Sequence, residues 1–170
     1  MNGLILPYKN ILPRIHDSAF IAHTAVITGD VEIGPDSSIW FGCVMRGDVN
    51  QIRIGARTNI QDGTIVHCTR DKFACLIGSD ITIGHGAILH ACVLEDGCFI
   101  GMGATVMDGA RVESGAMVAA GAMVTPGKVV KKGELWGGRP AKLMRTLSDE
   151  ELAFFPVSAK HYVELARNYR

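Results

Sequence analysis

Aliphatic residues recur at every sixth position over most of the chain. Ile15, Ile21, Ile27, Ile33, Ile39 and Met45 form a first run; Ile54, Ile60 and Val66 a second; Ile77, Ile83 and Leu89 a third. Leu94, Ile100, Val106, Val112, Val118, Val124 and Val130 form a fourth. The next residue is often glycine, as at Gly34, Gly55, Gly78, Gly84 and Gly101. Four residues after the aliphatic sits a small or branched residue, such as Ala25, Cys43, Thr58, Ala87 or Ala104. A period of six cannot keep one face of an α-helix, which repeats every ~3.6 residues. It is the hexapeptide repeat of a β-helix, in which three hexads close one triangular coil of about 18 residues. The aliphatic points inward and stacks on its counterpart one coil on, ~4.8 Å away. The pattern therefore predicts an all-β fold, a parallel β-helix.

The runs are out of register with one another. Three residues are extra between Met45 and Ile54, near Gly47–Asn50, and about five between Val66 and Ile77, in the segment Thr69–Ala74. Leu89 to Leu94 is one residue short. Such breaks concentrate function. After Gly133 the pattern ends. Residues 1–147 read as the β-helix domain, and residues 148–170 as a C-terminal helical segment packed on it. Ser148 and Glu151 form a capping box. Leu152, Phe155, Val157, His161, Val163 and Leu165 suggest two helical pieces broken near Pro156, apolar side on the prism.

Composition removes several classes of partner. Lys plus Arg and Asp plus Glu are both 17, so bulk charge points to neither nucleic acid nor a membrane surface. No run approaches the ~20 apolar residues of a membrane span, and the N-terminus does not read as a signal peptide. Five cysteines without a CxxC pair argue against a disulfide framework and for a reducing cytoplasm.

Three of the six histidines, His67, His85 and His90, fall within 24 residues beside the register breaks. His67 follows Val66 and His90 follows Leu89, so both point outward, one coil apart and side by side. Imidazoles at ~4.8 Å spacing can converge on one metal with Zn–N bonds of ~2.0–2.1 Å. His85 is second after Ile83, near another corner, too far along the chain for one subunit to close the site. Prisms packed side by side in a three-fold ring would make three identical sites. Cys68 and Cys92 are rival ligands, although Cys68 should face inward if His67 faces out. By the same phase, Arg46 lies one coil below His67, and Asp62 takes the position of His85 one coil earlier. An intersubunit Arg46–Asp62 salt bridge beneath the metal follows, acting as a register pin.

Arg46-Gly47-Asp48, Asn59-Ile60-Gln61-Asp62-Gly63, His67, Gly84-His85-Gly86 and Leu89-His90 resemble the signature of γ-class carbonic anhydrases. Gly101-Met102-Gly103 and Gly138-Arg139-Pro140-Ala141-Lys142 extend the resemblance over nearly the whole chain. The resemblance implies a left-handed parallel β-helix, a homotrimer and a metal between subunits held by His67, His85 and His90. The metal would be zinc, although iron and cobalt also accept imidazole. It further implies roles around the metal for Arg46, Asp48, Gln61 and Asp62, with Asn59 and Tyr162 as further pocket residues.

Three neutral histidines leave one coordination position open. A water bound there would have a pKa near ~7, and the resulting hydroxide would convert CO2 reversibly to bicarbonate. Gln61 would orient hydroxide or bicarbonate. Two positions depart from the better-known family pattern, in which glutamates shuttle protons: Val49 directly follows Asp48, and the short Thr69–Ala74 segment holds only Asp71. Low turnover is therefore expected. Rival readings are a hexapeptide-repeat acyltransferase, an acyl-CoA thioesterase using the same metal, and a metal-stabilised trimer without catalysis.

Overall fold

In the computed structural model, which describes residues 3–169, short parallel strands stack into a three-sided β-helix. A first face carries Ile54 and Ile77, a second Ile60 and Ile83, and a third Val66 and Leu89. Pairing in register stacks aliphatic on aliphatic, as in Ile60–Ile83–Ile100 and Val66–Leu89–Val106. All six of these side chains are fully buried. The long strands Val26–Ile33 and Val44–Ile54 bend around a corner, joining the first and third faces into one sheet; the second face is a separate sheet.

The corners are built by the small residues. Ala25, Ala87 and Ala104 are fully buried, and corner hydroxyls supply hydrogen bonds between coils. Ser37, Thr58 and Thr64 donate to the carbonyls of Gly55, Gly78 and Gly84 at 2.7, 2.8 and 3.3 Å. A side chain at Gly84 would put its Cβ 2.6 Å from the Met102 backbone nitrogen, so successive coils require glycine there.

The register breaks take three forms. Gly29 still pairs with Gly47, but Val31 pairs with Ile52, so the strand gains three residues around Asp48–Gln51. The Thr69–Ala74 segment projects as a turn closed by a Thr69–Phe73 bridge. The shortening between Leu89 and Leu94 is absorbed at Ala91, whose φ is 52°.

Three expectations are corrected. The coil continues beyond Gly133: strand Glu134–Gly137 runs parallel to Met117–Val118 and sets Trp136 opposite Val118. Trp136 stands six residues after Val130, and its indole in an aliphatic position hides the hexad. Strand Lys142–Thr146 then turns back antiparallel on Glu134–Gly137. The helix Asp149–Arg167 is also continuous through Pro156. Pro156 lies on the exposed side, where the carbonyl it leaves unpaired can bond water. The capping box of Ser148 and Glu151 is present.

The helix covers the second face with Phe155, Ser158, Ala159 and Ala166, whereas Val157 and His161 face outward, contrary to the apolar pattern expected. Phe155 stacks on Phe99 with ring centroids 5.1 Å apart, and Tyr162 meets Trp40 edge-on at 5.5 Å. Among the described residues, no helix is long and apolar enough to cross a membrane.

Candidate metal centre

Strict alternation on the third face fixes the histidines. In strands Ile65–His67 and Ile88–His90 the middle residue is buried and its neighbours point outward. Arg46 pairs in register with His67, and His67 with His90, giving an outward ladder of three. Cys68, directly after strand Ile65–His67, is buried and packs into the core. Cys92 is also buried, and its thiol is pushed well up by the neighbouring Cys75 and by burial, so neither cysteine presents a thiolate to this ladder.

Nδ1 of His67 lies 3.2 Å from Nε2 of His90. The outer nitrogen of each ring faces a carboxylate: His67 Nε2 is 3.0 Å from Asp48, and His90 Nδ1 is 2.7 Å from Asp108. Partial burial raises both carboxyls, but hydrogen bonds from Arg46 and His67 outweigh it at Asp48 and hold that group below the usual carboxylate range. At Asp108 hydrogen bonds from Thr69 and His90 do the same. Two ionised carboxylates favour protons on the outer nitrogens. With both outer nitrogens protonated, the two inner lone pairs are free to face one cation across the gap; without it, one ring can donate to the other at this distance. Adjacent ligands of a tetrahedral zinc with ~2.1 Å bonds stand about 3.4 Å apart, so the pair fits two positions of such a centre.

The remaining candidates gather elsewhere. His85 and Asp62 occupy one corner in successive coils, with His85 Nδ1 2.7 Å from Asp62. The turn is made at Gly86, whose φ is 69°. Asn59 and Gln61 point outward from the second face but are buried, 1% and 5% exposed, because the helix covers that face. Gln61 Nε2 donates to Asn59 Oδ1 at 3.0 Å, and Asn59 Nδ2 donates to Thr82 Oγ1 at 3.0 Å. The Thr82 hydroxyl lies 2.9 Å from that of Ser158 on the helix. Tyr162 belongs to this group, its phenol pushed up by burial and by the charge of Asp62.

The candidate residues of one chain thus fall into two groups: Arg46, Asp48, His67 and His90 on the third face, and Gln61, Asp62 and His85 around the corner after the second. Arg46 Nη1 donates to Asp48 at 2.6 Å within the first group and is half-exposed. Among the described residues, no three His, Cys, Asp or Glu side chains of one chain form a metal-holding group.

Sequence reasoning missed Asp108 and Thr69. The coil is 17 residues long here, since Leu89 pairs with Val106, so Asp108 stands one residue beyond the position that faces His90 and simple counting passes over it.

Similarity to known proteins is extensive. The family model for bacterial transferase hexapeptide repeats (six repeats) matches residues 13–47 and 91–126. "Gamma carbonic anhydrase 2, mitochondrial" of Arabidopsis thaliana is 49% identical over 160 residues, covering 91% of this chain and 58% of the plant protein. The chain therefore spans little more than half the length of that relative. "Carbonic anhydrase" of Geobacillus kaustophilus is 45% identical, with 98% of this chain and 91% of the relative covered. The crystal structure of a hexapeptide transferase family protein from Anaplasma phagocytophilum superposes with a TM-score of 0.94 at 49% identity, covering 98% of each chain. With a relative 45% identical along 91% of its own length, and hexads stacked from Ile15 to Trp136, the chain belongs to the γ-class carbonic anhydrase family of left-handed β-helix proteins.

Proposed function

We propose that three copies of this chain close three identical metal centres, and that the protein catalyses the reversible hydration of CO2 to bicarbonate there. The observation that carries this reading is the division of the site into two half-sites on separate flanks of one prism. His67 and His90 come from one subunit and His85 from its neighbour. Zinc suits three imidazoles; iron or cobalt would take the same ligands. When bound, the metal supplies a Lewis acid that brings the pKa of a coordinated water near ~7.

The chain's own residues do the rest. Asp48 holds the His67 ring, and Asp62 holds His85. Gln61, fixed by Asn59, orients the water or bicarbonate by hydrogen bonding. Arg46 reaches the neighbour's Asp62 and pins the register, and Tyr162 closes the pocket on the Asp62 side. Hydration also releases a proton. A groove of about 150 Å³ beside Asp48, lined by Val49, Arg70 and Asp71, offers Asp71 alone as a carboxylate carrier, in keeping with low turnover.

An apolar stripe supports the trimer. Val44, Ile65, Ile88, Thr105 and Met123 stack outward along the third face beside the histidines. Ile65 and Ile88 are 45% and 43% exposed in one chain, as a surface awaiting a partner would be. A reducing cytoplasm suits the five free, buried cysteines.

The test is metal analysis of protein purified without added metal, followed by stopped-flow CO2 hydration at neutral and alkaline pH. About one metal per trimer interface and a hydration rate lost in His90→Ala, with the trimer intact, are expected. Less than about 0.2 metal per chain would sink the site. Acyl-CoA turnover without metal would favour an acyltransferase instead.

A further inference from the structure

Asp108 sits one coil on from His90 and divides its carboxylate between two partners. Oδ1 is 2.7 Å from His90 Nδ1, and Oδ2 accepts the Thr69 hydroxyl. Its backbone is fixed, since the N–H of Gly109 donates to Ala91 at 2.8 Å and that of Gly127 to Asp108 itself at 2.9 Å. Thr69 opens the projecting Thr69–Ala74 segment. Its N–H donates to Phe73 at 3.1 Å, and its carbonyl accepts from Asn50 Nδ2 at 3.2 Å. The segment's far end is docked on the same corner: a Cβ at Gly109 would stand 3.3 Å from the Phe73 ring.

We infer that Asp108 is a positioning residue of the metal centre, and that Thr69 couples the docked Thr69–Ala74 segment to it. The inference rests on His90 being a ligand. A carboxylate at Nδ1 keeps the proton there, which leaves the Nε2 lone pair as the donor facing His67. The His90 side chain is 36% exposed, and Asp108 is the partner of its outer nitrogen. The Thr69 hydroxyl occupies the second carboxylate oxygen and keeps Asp108 from swinging out to solvent. The extra residues of the register break thereby act on the metal without touching it.

The test is a metal titration, independent of catalysis. Trimer stripped with chelator is titrated with zinc and cobalt against a chromogenic competitor, and the visible cobalt spectrum is recorded. Asp108→Ala should bind about 10–100-fold more weakly, the usual effect of losing an outer partner of a ligand histidine. It should also alter the cobalt bands. Asp108→Asn keeps an acceptor for Nδ1–H and should recover most of the loss. Thr69→Val should weaken binding by a smaller factor and add nothing in the Asp108→Ala background. Binding by Asp108→Ala within about two-fold of wild type, or an undiminished Thr69→Val effect beside it, would overturn the inference. If Asp108→Ala does not fold, Thr69→Val decides: wild-type affinity there overturns the coupling. His90→Ala separates the two levels. If it binds metal like wild type, the ligand assignment fails and takes this inference with it. If it does not, and Asp108→Ala does, only the role of Asp108 fails.

Discussion

His85 Nδ1 lies 2.7 Å from Oδ2 of Asp62, one coil below it at the same corner of the prism. The pair is separate from the His67–His90 ladder, which is held from its own side by Asp48 and Asp108. Under the proposed assignment each chain therefore presents two incomplete ligand sets, each with its own carboxylate partners.

This division predicts complementation. His85→Ala and His90→Ala should each be inactive alone and each form trimers. Mixed by unfolding and refolding at equal amounts, they should recover about a quarter of wild-type activity, since a random ring pairs an intact His67–His90 donor with an intact His85 donor at one interface in about four. Recovery is read as CO2 hydration and bound metal after size-exclusion purification. No recovery, with mixed trimers demonstrated by tagging, would place all three ligands on one chain.

Arg46 should matter to assembly more than to the fold of one chain. In the protomer it is half-exposed and bonded only to Asp48 among the described residues. Across the interface it would bridge to the neighbour's Asp62. Arg46→Ala should weaken the trimer by about 2 kcal/mol or more per interface, roughly 30-fold in dissociation constant. Sedimentation over a dilution series checks this; an unchanged trimer would return Arg46 to a local role at Asp48.

The core predicts a cost at one aliphatic rung. Leu89 is fully buried between Val66 and Val106, directly before His90. Leu89→Ala should destabilise by about 2–5 kcal/mol in chemical denaturation, since stacked coils on both sides cannot collapse into the cavity. A cost below about 1 kcal/mol would mean that the rungs do not bear on each other as their burial implies.

The residues that were legible in the sequence share one property: the repeat reports them many times. Met45, Val66 and Leu89 set the phase, and the outward pairing of His67 with His90 follows by counting. Asp108 was hidden because Asp-Gly at a corner looks like any other turn, as at Asp62-Gly63, and because the coil is one residue short here, so counting in phase sets Met107 opposite His90. Trp136 was hidden by its size in an aliphatic position. Pro156 misled for a different reason. Its cost depends on which side of the helix faces water, and that side was misassigned once Val157 and His161 were counted as buried. Helix burial here relies on Ser158 and Ala159, small residues that allow close approach and carry little hydrophobic signal.

The helix junction gives the pH prediction. Arg145 grips Glu151 with two hydrogen bonds of 2.8 Å, and the Ser148 N–H adds a third at 2.9 Å. The hydrogen bond from Arg145, then that from Ser148, lowers the Glu151 carboxyl from its ordinary 4.5 to about 2 in the folded chain. A depressed carboxyl stabilises the fold above its unfolded value and loses that contribution as pH falls through the folded one. The window therefore runs from about pH 5 down to about pH 2. Glu151→Gln keeps an acceptor for the helix cap but removes the charge. It should melt below wild type at pH 7, read by the helical signal at 222 nm, and the two melting curves should converge as pH falls through the window. Histidine and other carboxylate titrations act on both proteins alike and cancel in the difference. Parallel curves from pH 7 to 2 would show that the Arg145–Glu151 pair contributes nothing beyond its geometry.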